Sequence, residues 1–231
     1  GNDIDGESND DLSGETVSLS SDGSVLAIGA MGNDGNGTDS GHVRIYKLVN
    51  KTWTKIGNDI DGEINGDSSG SSVSLSADGS VVAIGSQLNS NNGNVSGHVR
   101  IYKNVNNTWT KIGNDIDGEA AEDYSGRAIS LSSDGETVAI GATGNDGNGM
   151  RSGHVRIYKN VNNNWTQIGN DINGEAANDG SGISVSLSSD SSIVAIGSMF
   201  NNGNGTNSGH VRIYKNVNNT WTKIGNDIDG E

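Results

Sequence analysis

The chain has no cysteine, no proline and one phenylalanine, and its 14 lysines and arginines face 29 acidic residues. Each scarcity excludes something. Without cysteine there is no disulfide and no thiolate to serve as ligand or nucleophile. A formal charge of −15 leaves no basic surface to follow phosphates, so nucleic acid is not an expected partner. An anionic membrane face is disfavoured for the same reason. No apolar run approaches the roughly 18 residues of a membrane span, so insertion is not expected. No stretch repeats apolar residues at helical spacing, and β-branched residues dominate the apolar runs. There is no signal-peptide pattern and no initiator methionine. The chain begins inside its own repeat, which is the expectation for an excerpt or a processed product.

Hydrophobic residues make up 31% and there are 36 glycines, a balance close to that of disordered chains. The order within it argues for a fold, because short Val/Ile/Leu/Ala runs recur at fixed places between turn residues, as in all-β proteins. The acidic balance fits solubility alone, or recruitment of divalent cations.

The heptapeptide GNDIDGE, or a one-residue variant, begins at Gly1, Gly57, Gly113, Gly169 and Gly225, a step of 56 residues. His42, His98, His154 and His210 keep that step, as do Trp53, Trp109, Trp165 and Trp221. The chain therefore reads as one repeat region, 1–231, of units 1–56, 57–112, 113–168 and 169–224 with a partial fifth copy at 225–231. Within the third unit, ISLS alternates like a half-buried strand and TVAIGA is a nearly continuous apolar run. SSDGE between them supplies a tight turn. A variable Asn/Gly loop follows, then HVRIYK, identical in all four units. An Asn-rich pair turns the chain into WTQIGNDI, the fourth strand. Each unit is expected to be a four-stranded antiparallel meander, and four such units in tandem are propeller blades. A β-solenoid is the alternative, but its turns recur at shorter intervals. All four units already carry their fourth strand, so an open blade array, part of a larger ring or a filament, is favoured over a closed four-blade ring.

Asp123–Lys159 resembles the FG-GAP repeat, the blade of integrin-α-like propellers. Ser125-Gly126 stands for its Phe-Gly, Ile140-Gly141-Ala142 for its Gly-Ala-Pro end, and Gly153–Tyr158 for its last strand. The resemblance implies a propeller and an extracellular setting. In the family's calcium turn only Asp134-Gly135 survives, with serine at the earlier ligand positions.

An acidic series elsewhere suits calcium better. Asp3, Asp5, Glu7 and Asp11 are spaced like alternate ligands of a tight oxygen-lined loop, and so are Asp59, Asp61, Glu63 and Asp67. Asp115, Asp117, Glu119 and Asp123 repeat the spacing, and Asp171, Asn173, Glu175 and Asp179 follow with one asparagine. The plainer reading makes these residues a decorated link between blades. The repeated Arg44, Arg100, Arg156 and Arg212 need carboxylate partners if buried, with Asp22, Asp11 and their equivalents as candidates. The histidines read as structural, and the tryptophans as packing against the next blade.

No triad or acid/base pair stands out, and near-uniform copies do not bring unlike residues together, so an enzyme is not expected. Tyr124, Arg151 and Phe200, unique to their units, form no constellation in the sequence. Any recognition is expected in the variable loops, at Asn33, Asp34 and Asn36, Asn89 and Asn92, Asn145, Asp146 and Asn148, and Asn201 and Asn204. The resulting expectation is an extracellular or cell-surface, adhesin-like interaction module, a segment of a longer repeat protein. Its partners are expected to be a protein or glycan at the cell surface, or neighbouring repeats of the same or another chain. Ca²⁺ is the one cofactor entertained. The alternative function is a carbohydrate-binding, lectin-like propeller with one pocket per blade, using the tryptophan or the tyrosine series.

Overall fold

The computed structural model describes residues 2–231. Gly1, the first residue of the first repeat, lies outside them. Among the described residues there are four five-stranded antiparallel sheets and no helix, hence no helix long and apolar enough to cross a membrane. The first blade holds β1 (Thr16–Leu19), β2 (Val25–Ala30), β3 (His42–Val49), β4 (Thr52–Lys55) and β5 (Ile60–Asp61). The second holds β6 (Ser72–Leu75), β7 (Val81–Ser86), β8 (His98–Val105), β9 (Thr108–Lys111) and β10 (Ile116–Asp117). The third holds β11 (Ser125–Leu131), β12 (Thr137–Ala142), β13 (His154–Val161), β14 (Asn164–Gln167) and β15 (Ile172–Asn173). The fourth holds β16 (Ser181–Leu187), β17 (Ile193–Ser198), β18 (His210–Val217), β19 (Thr220–Lys223) and β20 (Ile228–Asp229). These are the expected meander blades.

The turns form for local reasons. In the first blade Ser20 Oγ donates to Asp22 Oδ1 at 2.7 Å, while Ser24 N–H donates to the same oxygen at 2.9 Å. These bonds, that from Ser24 N–H foremost and that from Ser20 next, outweigh the opposing effect of burial and pull the Asp22 carboxyl down to about 2. The pair Asn106-Asn107 has φ of 53° and 63°, the two left-handed positions of a twisted hairpin turn, which asparagine tolerates best after glycine.

The fourth strand is not continuous. β4 pairs with the far half of β3 and β5 with its near half, so WTKIGNDI is bent between them. The same bend recurs in the last blade, where Gly225 has a φ of +74° and nothing packs on it, so it is set within the unit, and a tryptophan of the following blade packs into it where there is one. Gly57 has a φ of +76°, and a Cβ there would lie 2.8 Å from Cδ1 of Trp109. Trp109 Nε1–H also donates to the Ile56 carbonyl at 3.0 Å. Trp165 and Trp221 do the same to Ile112 and Ile168. The tryptophans therefore pack against the preceding blade, not the next one.

Blades stack through three apolar clusters, one per junction. Serines of the first strands lace the junctions: Ser18 Oγ accepts from Leu75 N–H, and Ser74 and Ser130 Oγ accept from Leu131 and Leu187, each at 3.0 Å. The two ends of the stack are bare. Leu75 and Leu131 are 7% and 8% exposed, whereas Leu19, their equivalent on the first blade, is 57% exposed. Ile60, Ile116 and Ile172 are 5–6% exposed, and Ile228 on the last blade is 58% exposed. The four blades form an open stack, its ends matching the faces joined at each internal junction.

Candidate functional site

The variable loops lie between the second and third strands of each blade. The residues expected to bind there are engaged inside the loops. Asn33, Asn89, Asn145 and Asn201 are buried. The amides of the last three donate to Asp67, Asp123 and Asp179 at 2.9, 3.3 and 3.1 Å. Asn36, Asn92, Asn148 and Asn204 donate to the carbonyls of Gly62, Gly118, Gly174 and Gly230 at 2.7–2.8 Å. Asp34 and Asp146 accept from the backbone N–H of Asp39 and Arg151. These side chains fasten each loop to the link that leaves its own blade or to the link that enters it.

The acidic series is dispersed as well. Asp11 is buried and accepts from the N–H groups of Glu7 and Ser8 at 3.1 and 2.9 Å. Burial acts to raise its carboxyl, but those N–H groups and the Asn33 amide outweigh it and hold the carboxyl low. Asp67, Asp123 and Asp179 repeat the cap. Asp59 and Asp115 pair with Lys55 and Lys111 at 2.8 and 2.7 Å, and Asp171 accepts from Gln167. Asp3 is exposed, as are the side chains of Asp5, Asp61 and Asp117, while Asn173 is half-buried. The carbonyls of Asp5, Asp61, Asp117 and Asn173 accept from Arg44, Arg100, Arg156 and Arg212 at 2.7–2.8 Å. The arginines thus meet backbone carbonyls and the carboxylates of Glu7, Glu63, Glu119 and Glu175, at 3.5–3.7 Å, rather than Asp22 or Asp11.

What does converge is a set drawn from two different repeats. Glu7, His42 and Asp59 bring one ligand atom each within 4.8 Å of one another, as do Glu63/His98/Asp115, Glu119/His154/Asp171 and Glu175/His210/Asp227. The histidines are buried, and Nδ1 of His154 lies 3.9 Å from Glu119 and 3.8 Å from Asp171, too far for a hydrogen bond. Burial, aided by the neighbouring Arg100 and Arg156, pushes His98 and His154 down to about 4. One imidazole and two carboxylates suit zinc or manganese better than calcium, which prefers an all-oxygen shell. The arginine on the outer oxygen of each glutamate competes for its charge. Sequence spacing hid these sets because their members are 35 and 17 residues apart. Only the common 56-residue step of histidine, glutamate and aspartate marked them.

A second feature breaks the repeat symmetry. A pocket of about 640 Å³ lies among the loop ends of the last three blades. Tyr124, Arg151 and Phe200 all line it, together with Arg127, Gln87 and Met199. The unit-specific residues are therefore a constellation in space, although 76 residues separate Tyr124 from Phe200 in the chain.

Residues 116–158 match the model of the FG-GAP repeat. No curated protein matches the sequence. Among solved structures, a candidate 6-phosphogluconolactonase from Bacteroides uniformis superposes with a TM-score of 0.62 at 13% identity, over 94% of this chain and 55% of that one. The periplasmic gluconolactonase PpgL of Pseudomonas aeruginosa gives 0.60 at 13% identity, over 93% and 56%. A candidate TolB from Agrobacterium tumefaciens gives 0.50 at 15%, over 91% and 61%. The chain spans little more than half the length of the first two. At these identities the likeness is one of propeller fold.

Proposed function

We propose that the chain is a non-enzymatic interaction segment of a longer extracellular or cell-surface repeat protein, with its loop ends presented to a protein or glycan partner. One observation carries this reading: an unvarying, buried third strand supports loop ends that hold the largest differences in side-chain size between units. HVRIYK is identical in every blade, whereas the positions of Tyr124 and Phe200 hold Leu12, Ser68 and Gly180, and Gly32, Leu88 and Gly144. The lactonase names of the structural neighbours carry no chemistry to this chain, because function resides in sites and not in folds. The FG-GAP likeness and the periplasmic neighbour favour a location outside the cytoplasm.

A glycan partner alone is the second reading, with the loop ends and not the tryptophans as its first candidates: Trp165 is 9% exposed, and Trp109 and Trp221 are half-buried with their indole N–H groups given to the preceding blade. Beads coated with the chain test the module reading. They are expected to adhere to cell-surface preparations, and to lose adhesion when loops 87–96, 143–152 and 199–208 are replaced by the sequence of 31–40. Absence of adhesion, or adhesion indifferent to the exchange, would overturn it.

A further inference from the structure

We infer that the pocket between the last three blades binds a short acidic saccharide, one carrying a carboxylate or a sulfate. The inference rests on the loop ends being the recognition surface, and adds the ligand class and the residues that read it.

The first support is the placement of charge. The chain has six arginines. Four are buried in the third strands and bonded to carbonyls and glutamates. The other two, Arg127 and Arg151, both line this pocket. On a chain of charge −15, two exposed guanidiniums beside one cavity form a local anion site. Arg127 has no carboxylate partner, and Arg151 has only a loose, exposed ion pair. Arg127 Nη1 donates to the neutral Gln87 Oε1 at 3.0 Å, and Arg151 lies 3.9 Å from Glu122, with both side chains about 60% exposed.

The second support is the placement of rings. Tyr124 has a φ of +53°, the conformation that Leu12, Ser68 and Gly180 also hold at this place in the other blades, and of the four only Tyr124 brings a ring to the pocket. The facing positions are complementary: a Cβ on Gly144 would meet Tyr124 at 2.8 Å, and a Cβ on Gly180 would meet Phe200 at 3.3 Å. Each glycine makes room for the aromatic ring opposite, and the two rings stand in one cavity. Rings offer flat apolar faces to sugar C–H groups, the amides of Asn178, Asn202 and Asn207 can bond hydroxyls, and the arginines take the anion. The volume suits a di- or trisaccharide.

Calorimetric titration of the whole chain tests this, with trigalacturonate as the carboxylate probe, a sulfated carrageenan tetrasaccharide as the sulfate probe, and maltotriose as the neutral control. One or both acidic probes should bind and maltotriose should not; which one binds identifies the anion. Arg127→Gln with Arg151→Gln should weaken binding by roughly tenfold or more, as expected for lost charge-assisted bonds, with an unchanged melting temperature. Tyr124→Gly should weaken binding while keeping or raising the melting temperature, an effect that a merely structural tyrosine does not produce. The inference is overturned if neither acidic probe binds, if maltotriose binds equally well, or if the double arginine variant binds unchanged. Bead adhesion that survives the double variant, alongside failed titrations, would sink the pocket and leave the module reading standing.

Discussion

Leu19 and Leu75 hold the same place in two copies of one unit, and only one of them has a neighbour. Leu75→Ala should cost about 2–4 kcal/mol in urea unfolding, as for a buried leucine, whereas Leu19→Ala should stay within about 0.5 kcal/mol. Equal costs would mean that the first blade is covered in solution. A second residue-scale effect comes from His98 and His154. Their folded values of about 4 lie below the usual 6.5, so between those limits the unfolded chain binds more protons. Their contribution to stability therefore falls as pH drops from about 6.5 to 4 and levels off below, where the carboxylates held low, such as Asp22, continue the loss. The loss is at most about 3 kcal/mol per histidine. Replacing both by glutamine should flatten that part of the profile, and a wild-type stability indifferent to pH in this window would contradict their buried neutral state.

The bent fourth strand belongs to the scale of the element. Gly113 and Gly225 share a φ near +75°, but a Cβ on Gly113 would strike Trp165 whereas Gly225 has nothing within 4 Å. Alanine at either site should carry the left-handed strain of about 1–2 kcal/mol. At Gly113 the packing clash should add about 1–3 kcal/mol more. Thermal unfolding of the two variants would show it, and matching losses would refute the role given to tryptophan. Here the limits of legibility are physical. The 56-residue period, the strand runs and the asparagine turns are local patterns, and they were readable from the sequence. The packing at Gly57 was not, because it is made by a side chain from the next unit, 52 residues away. The acidic series failed as a guide for the same reason: alternation suggested that Asp3, Asp5, Glu7 and Asp11 share one centre, but capping and pairing with Asn33, His42 and Arg44 send them apart. Tyr124, Arg151 and Phe200 were visible as oddities. Their meeting in one pocket depends on the stacking of blades, which no single unit contains.

For the whole molecule, stability in a stack is a sum of unit and junction contributions. Repeating residues 8–63 after Glu231 would complete a fifth blade over Ile228 and Gly225, and should raise the melting temperature by about 5 °C. An unchanged temperature would show that the end faces are not equivalent to the internal ones. The seam between repeats carries one more consequence. Because the period closes inside the bent fourth strand, loss or duplication of a whole number of units rejoins like with like and leaves every hydrogen-bonded register intact. Recombination between such similar stretches of the gene would shorten or lengthen the stack without misfolding it. Length is thus the most freely heritable variable of this architecture, while the differences lining the pocket are the part that copy-number change can erase.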